Sequence, residues 1–213
     1  MSLKEICSSI DAAIDFSSLT HQYFYKERDL ISVTKAFEKV GATDFSKVPF
    51  EVIEPARERG DTVHDMAAMF GNEILDEDTV TEEYEGYLSA IQKFYKERVK
   101  KIIAIEQKIY NLHFCYAGTL DILYLNKSRQ LCLDDWKTPK KDHKVSKWQT
   151  AAYAYAWEKL TRKKVSERAS VLLRPDGTYQ REEHKNPLKR DFDDFVTILR
   201  CVILLTNNKL GRK

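Results

Sequence analysis

The chain has 213 residues, with 35 Lys and Arg against 33 Asp and Glu and a net charge of +2; this is enough for one sizeable α/β domain, and the charge argues neither for nor against nucleic acid. Four scattered cysteines, Cys7, Cys115, Cys132 and Cys201, form no C-x-x-C pair, so neither a zinc knuckle nor an iron–sulfur cluster is suggested. The G-x-x-x-x-G-K-[ST] nucleotide loop is absent, as is any leader pattern or apolar run of membrane-spanning length, so the expectation is a soluble intracellular protein without a nucleoside triphosphate or a membrane as partner.

His21-Gln-Tyr-Phe-Tyr25 reads as a short strand, and Ser32 or Thr34 starts a short helix through Phe37. From about Pro55 to Ile74, the residues Val63, Met66, Ala67, Phe70 and Ile74 recur at helical spacing. His64 lies beside that stripe, and Arg57 precedes it on the same face. Thr79-x-x-Glu82 carries a capping-box pattern and opens a helix with Tyr84, Tyr87, Leu88, Ile91, Phe94 and Tyr95 on its apolar side. The period then changes. Ile102 to Leu112 reads as a strand interrupted by Glu106. Two further apolar strands, Gly118 to Leu125 and Leu131 to Thr138, enclose the polar turn Asn126-Lys-Ser-Arg-Gln130, which predicts a β-hairpin. Lys147 to about Leu160 returns to helix. Val171-Leu-Leu173 is a strand, and the turn Arg174-Pro-Asp-Gly-Thr178 leads into Tyr179 to Glu183. Asn186-Pro187 starts a last helix with Leu188, Phe192, Phe195, Val196, Leu199, Val202 and Ile203 along one stripe. No repeat or linker is visible. The expected domain is single, over 1–213: a helical part to about 100, a core over about 101–185 and a C-terminal helix over about 187–209. This order predicts an α/β fold with a central mixed sheet flanked by helices.

The hairpin carries the chemistry. Asp121 sits on its first strand, and Asp135 and Lys137 on its second. Side chains alternate along a strand, so Asp135 and Lys137 share a face with Leu131 and Leu133, while Asp134 points away. Two acids and an amine on one side of a sheet suit a divalent cation beside a proton-handling group. A solvated sheet face is the ordinary alternative, but these aspartates interrupt apolar strands, where an unpaired charge is costly. Glu106 would reach the same cation if its strand neighbours that of Asp121. Gln149 and Tyr153, spaced i,i+4, share a face of the following helix. Lys137, Lys140, Lys141, His143, Lys144 and Lys147 crowd one loop, which is either solvated or holds phosphates.

In this order the residues resemble the PD-(D/E)XK nuclease superfamily and its RecB-like exonuclease branch. Arg59-Gly-Asp-Thr-Val-His64 is similar to the branch's glycine-then-histidine motif, and Glu106 to an acid on the strand before the first catalytic aspartate. Ala117-Gly-Thr-Leu-Asp121 resembles the glycine-x-x-aspartate motif, Leu133-Asp-Asp135-Trp-Lys137-Thr138 the D-x-K-T motif, and Gln149-Thr-Ala-Ala-Tyr153 the Q-x-x-x-Y helix. Ile31-Ser-Val-Thr34, after His21 to Tyr25, is similar to the start of phage-encoded members and of the mitochondrial genome maintenance exonuclease. The cysteine set that holds an iron–sulfur cluster in some relatives is missing, as is a helicase portion.

The resemblance implies a restriction-endonuclease-like core and a small Mg²⁺- or Mn²⁺-dependent DNA exonuclease that leaves a 5′-phosphate and a 3′-hydroxyl. Asp121 and Asp135 would hold the metal with the backbone carbonyl of Trp136, and His64 and Glu106 are further candidate ligands. Lys137 would position or deprotonate the attacking water. Gln149 and Tyr153 would orient Lys137 or the DNA backbone. Arg57, Lys140, Lys141, Lys144 and Lys147 are the candidate DNA contacts. DNA ends are the implied partner, with a recombination or replication protein as a second one, in recombination, repair or phage DNA processing. An endonuclease of the same superfamily and a nucleic-acid-binding or scaffold protein without catalysis stand as alternatives.

Overall fold

The computed structural model describes residues 3–43, 49–138 and 144–206. Helix α1 (Leu3–Ala12) leads into a short antiparallel meander of β1 (Asp15–Ser17), β2 (Gln22–Tyr25) and β3 (Arg28–Ser32), followed by α2 (Val33–Lys39). Helices α3 (Phe50–Gly71) and α4 (Glu82–Arg98) come next, with a 3₁₀ turn at Glu77–Thr79 between them. The long strands β4 (Val99–Asn111), β5 (Tyr116–Asn126) and β6 (Leu131–Lys137) run antiparallel. Helix α5 (Ser146–Thr161) crosses to β7 (Glu167–Leu173), which is parallel to β6; β8 (Tyr179–Glu183) turns back, and α6 (Leu188–Thr206) ends the described chain.

The strands form one mixed sheet in the order β1-β2-β3-β5-β6-β7-β8, with β4 paired to β5. The architecture is α/β, a central mixed sheet with helices on both faces. Helices α5 and α6 cover Leu120, Leu123 and Leu133 with Trp157, Phe195 and Leu199. Helices α3 and α4 cover Ile122, Tyr124 and Trp136 with Ala67, Ile91 and Phe94. Helix α5 lies close to the sheet because much of its buried surface is alanine: Ala151, Ala152, Ala154 and Ala156.

Strand β5 organises the rest. Strand β4 pairs with it from Tyr116 to Asn126, filling one edge. The other edge is shared: β3 takes Tyr116 and Ala117, and β6 takes Ile122 to Leu125. Between those two partners, residues 118–121 face no strand on that edge, and Asp121 closes the gap.

Several local expectations are corrected. The strand expected at His21–Tyr25 is present as β2, but the first hundred residues are not simply helical, since β1 and β3 join it in extending the sheet. Helix α3 starts at Phe50, so Pro55 lies inside it. Pro55 and Glu51 are both exposed, so water can meet the Glu51 carbonyl that proline cannot serve. The same helix ends at Gly71, and Ile74 is 71% exposed. The capping box does not form: Thr81 is the N-cap of α4, while Thr79 donates its hydroxyl to the Asp76 carbonyl at 2.7 Å. Helix α1 had a readable period, Leu3, Ile6, Cys7 and Ile10, of which Cys7 and Ile10 are buried. All four cysteines are free.

Candidate active site

Strands β5 and β6 diverge at the site. Their register, Ile122↔Asp134, sets Asp121 opposite Asp135. There the backbone N–H of Trp136 donates to Asp121 Oδ2 at 2.6 Å, so a side chain takes the place of a strand carbonyl. On the other edge, the pairs Ile105↔Ile122 and Gln107↔Leu120 bracket Glu106, which lies opposite Asp121 with a φ of +47°. A non-glycine residue in that left-handed region carries strain of order 1–3 kcal/mol. The alternation of the strands slips at the same step. Leu120 packs under α5 and α6, whereas Ile122, two residues on, packs under α3 and α4.

His64 arrives from α3. Its Nε2 is 3.0 Å from the Trp136 carbonyl oxygen and its Nδ1 is 3.6 Å from Asp121 Oδ2. With Nε2–H donating to the carbonyl, the ring turns Nδ1 toward Asp121. Among the described residues, His64, Glu106 and Asp121 bring potential ligand atoms within 4.8 Å of one another. The Trp136 carbonyl, expected to face a cation, accepts from His64, and a carbonyl has a second lone pair. Asp135 stands just outside this trio.

Asp135 is 1% exposed. Gln149 Nε2 donates to its Oδ1 at 3.0 Å. The Lys137 ammonium makes an ion-pair contact with Oδ2, but no well-directed hydrogen bond reaches that oxygen among the described residues. Lys137 also donates to Gln149 Oε1 at 3.5 Å, and Gln149 Nε2 reaches the Tyr153 hydroxyl at 3.3 Å. The ring of Tyr153 lies against Gly118, where an added Cβ would come within 2.6 Å of Tyr153 Cε1. That glycine therefore serves close approach.

Burial raises the Asp135 pKa and Lys137 pulls it back, with Asp121 opposing; the balance is pushed up to about 6. Loss of water around the Glu106 carboxyl, followed by the charges of Asp121, Asp65 and Asp135, pushes that group up to about 8. Asp134 points to the opposite face, as alternation predicts. It accepts from the Tyr124 hydroxyl at 2.8 Å and from Arg181 Nε and Nη2 at 2.8 and 3.0 Å.

The site opens into a cleft of about 240 Å³ lined by Thr34, His64, Lys137, Thr138, Ser146 and Gln149, among others. Arg57 is exposed, and no contact joins it to the site among the described residues. Lys144 is exposed, and Lys147 lies over the Trp148 ring at 5.1 Å. Lys140 and Lys141 lie outside the described residues. Sequence reasoning missed Ser146 and Asp65 as neighbours of the site. The position of Ser146 at a helix start and that of Asp65 beside His64 were the available signals.

No family model matches the chain, and no curated protein does. Among solved structures, the crystal structure of SSO0001 is 18% identical over 97% of this chain and 85% of that chain, with a TM-score of 0.44. A likeness this distant carries no argument about function. Among the described residues, no helix is long and apolar enough to cross a membrane.

Proposed function

We propose that this chain is a Mg²⁺- or Mn²⁺-dependent deoxyribonuclease of the PD-(D/E)XK type that degrades DNA from its ends. The observation that carries the reading is convergence. Glu106 on β4, Asp121 on β5, Asp135 and Lys137 on β6, His64 on α3 and Gln149 on α5 meet where β5 leaves β6. The donor set fits a divalent cation. The carboxylates of Glu106, Asp121 and Asp135 crowd one spot, and the Lys137 ammonium, paired with Asp135 Oδ2, offsets one of those charges. Glu106, Asp121 and His64 Nδ1 would hold the ion, with Asp135 beside them.

When bound, such a cation supplies a Lewis acid and makes a coordinated water more acidic. Lys137 would hold the attacking water and offset charge growing on the phosphate. Gln149 accepts from Lys137 and donates to Asp135, so it fixes both groups. Tyr153 holds Gln149 in turn. Carboxylates suit both Mg²⁺ and Mn²⁺, whereas an imidazole nitrogen is a softer donor than Mg²⁺ prefers. Activity with Mn²⁺ is therefore expected to match or exceed that with Mg²⁺.

The test is digestion of end-labelled linear DNA and of closed-circular DNA with Mg²⁺, with Mn²⁺ and with chelator. Progressive loss of linear DNA, sparing of circles and full inhibition by chelator are expected. Discrete fragments from a closed circle would favour an endonuclease. No metal-dependent cleavage of any DNA would remove the enzyme reading and leave a binding or scaffold role.

A further inference from the structure

We infer that the N-terminus of α5 is a phosphate-binding subsite of the same cleft, holding a nucleic-acid backbone phosphate next to the one that is cut; the DNA role rests on the function proposed above. Helix α5 has 16 residues, and its N-cap, Val145, offers no capping side chain. The N–H groups of Trp148 and Gln149 turn back to the Val145 carbonyl. Ser146 and Lys147 follow in the first turn, where the positive end of the helix dipole lies. Such an end is a ready site for an anion.

The second observation is the Ser146 side chain. The residue is fully buried yet contributes to the lining of the cleft. Its Oγ takes part in no hydrogen bond among the described residues. Native folds rarely leave a buried hydroxyl unmet unless a ligand, water or ion completes it. Lys137 and Thr138 lie on the same wall. Glu38 also lines the cleft, but its carboxylate is paired with Lys35 at 3.0 Å. Lys137 brings a positive charge to this cleft, and the hydroxyls of Thr34, Thr138 and Ser146 can donate to a phosphate. Ser146 and Gln149 are spaced i,i+3, which sets the subsite about one helical turn, roughly 5 Å, from the Lys137 amine's partner.

The test uses the full chain in chelator, titrated separately with inorganic phosphate and with a short single-stranded oligodeoxynucleotide, while the amide resonances of Ser146 and Lys147 are followed by NMR. Both probes are expected to shift these amides. Ser146→Ala should weaken either probe about fivefold, the size of one ordinary hydrogen bond. The same variant should melt no lower than wild type, because it removes an unmet hydroxyl, and any rise in KM for DNA should exceed its change in kcat. Shifts with inorganic phosphate alone would overturn the DNA role. Unmoved amides with both probes, or equal affinity in Ser146→Ala, would overturn the subsite itself. If phosphate shifts these amides but no DNA is cut, the subsite stands and the nuclease reading falls.

Discussion

Asp121 and Asp135 face each other across diverging strands, and each answers to different donors. Replacing either by Asn should reduce metal-dependent DNA cleavage to background in the end-labelled assay, with the fold retained by circular dichroism. Gln149 touches Asp135 and Lys137 without being a proposed ligand. Gln149→Ala should therefore lower activity by about 10–100-fold, the range for a group that orients a metal ligand. Asp134 is the contrasting case. It is fully buried and held by Arg181 and Tyr124 on the far face. Asp134→Ala should cost about 3 kcal/mol, the low end for breaking a buried pair, because Arg181 keeps Glu167 at 3.0 Å. Urea unfolding with an unchanged m value would measure that loss. The division of labour between Asp134 and Asp135 was legible in the sequence, because a period of two needs no tertiary information. The left-handed φ of Glu106 was not, since the apolar run around it reads as regular strand.

Two glycines show how the elements dock. A Cβ on Gly86 of α4 would fall 1.7 Å from the Pro175 carbonyl oxygen in the turn between β7 and β8. The obstacle is backbone, which cannot step aside. Gly86→Ala should thus destabilise by about 1–3 kcal/mol or more, read as a lower urea midpoint. Gly118→Ala meets a side chain, the Tyr153 ring, which can move. Its expected signature is a loss of cleavage resembling that of Gln149→Ala, with a smaller change in stability; unimpaired cleavage would mean that Tyr153 does not position Gln149. Element existence was readable from periodicity at α4, α5, α6 and the β5–β6 hairpin. Helix starts were less so. Thr79 had the pattern of a cap, but the neighbouring Asp76 carbonyl captured its hydroxyl. At the head of α3, Pro55 imitated a first helical position, and the apolar Phe50 and Val52 ahead of it stay exposed instead of marking a buried face.

For the whole molecule, the crowded carboxylates link stability to pH. In the folded chain Asp135 is pushed up to about 6 and Glu106 to about 8, above unfolded values of about 3.9 and 4.3. Between roughly pH 4 and 8 the native state therefore holds protons that the unfolded chain has released. Stability should fall as pH rises through that window. A divalent cation displaces those protons, so its stabilising effect should grow with pH. Melting temperatures in chelator and in Mn²⁺, taken across the window, would check both slopes, and Glu106→Gln should flatten the chelator curve. Rising stability in chelator would mean that the acids are not crowded in solution. From α3 onward, the sequence by itself determined the order of helices and strands, the hairpin, and the face shared by Asp135 and Lys137. These follow from the 3.6 and 2.0 periods of local backbone geometry. Only the tertiary structure decided that β4 fills one edge of β5 while β3 and β6 divide the other, and that His64 reaches the Trp136 carbonyl across 72 residues of chain. Local periodicity marks which face of an element is buried; which distant element covers that face is settled only when hydrogen bonds and apolar surfaces are satisfied together across the assembled sheet.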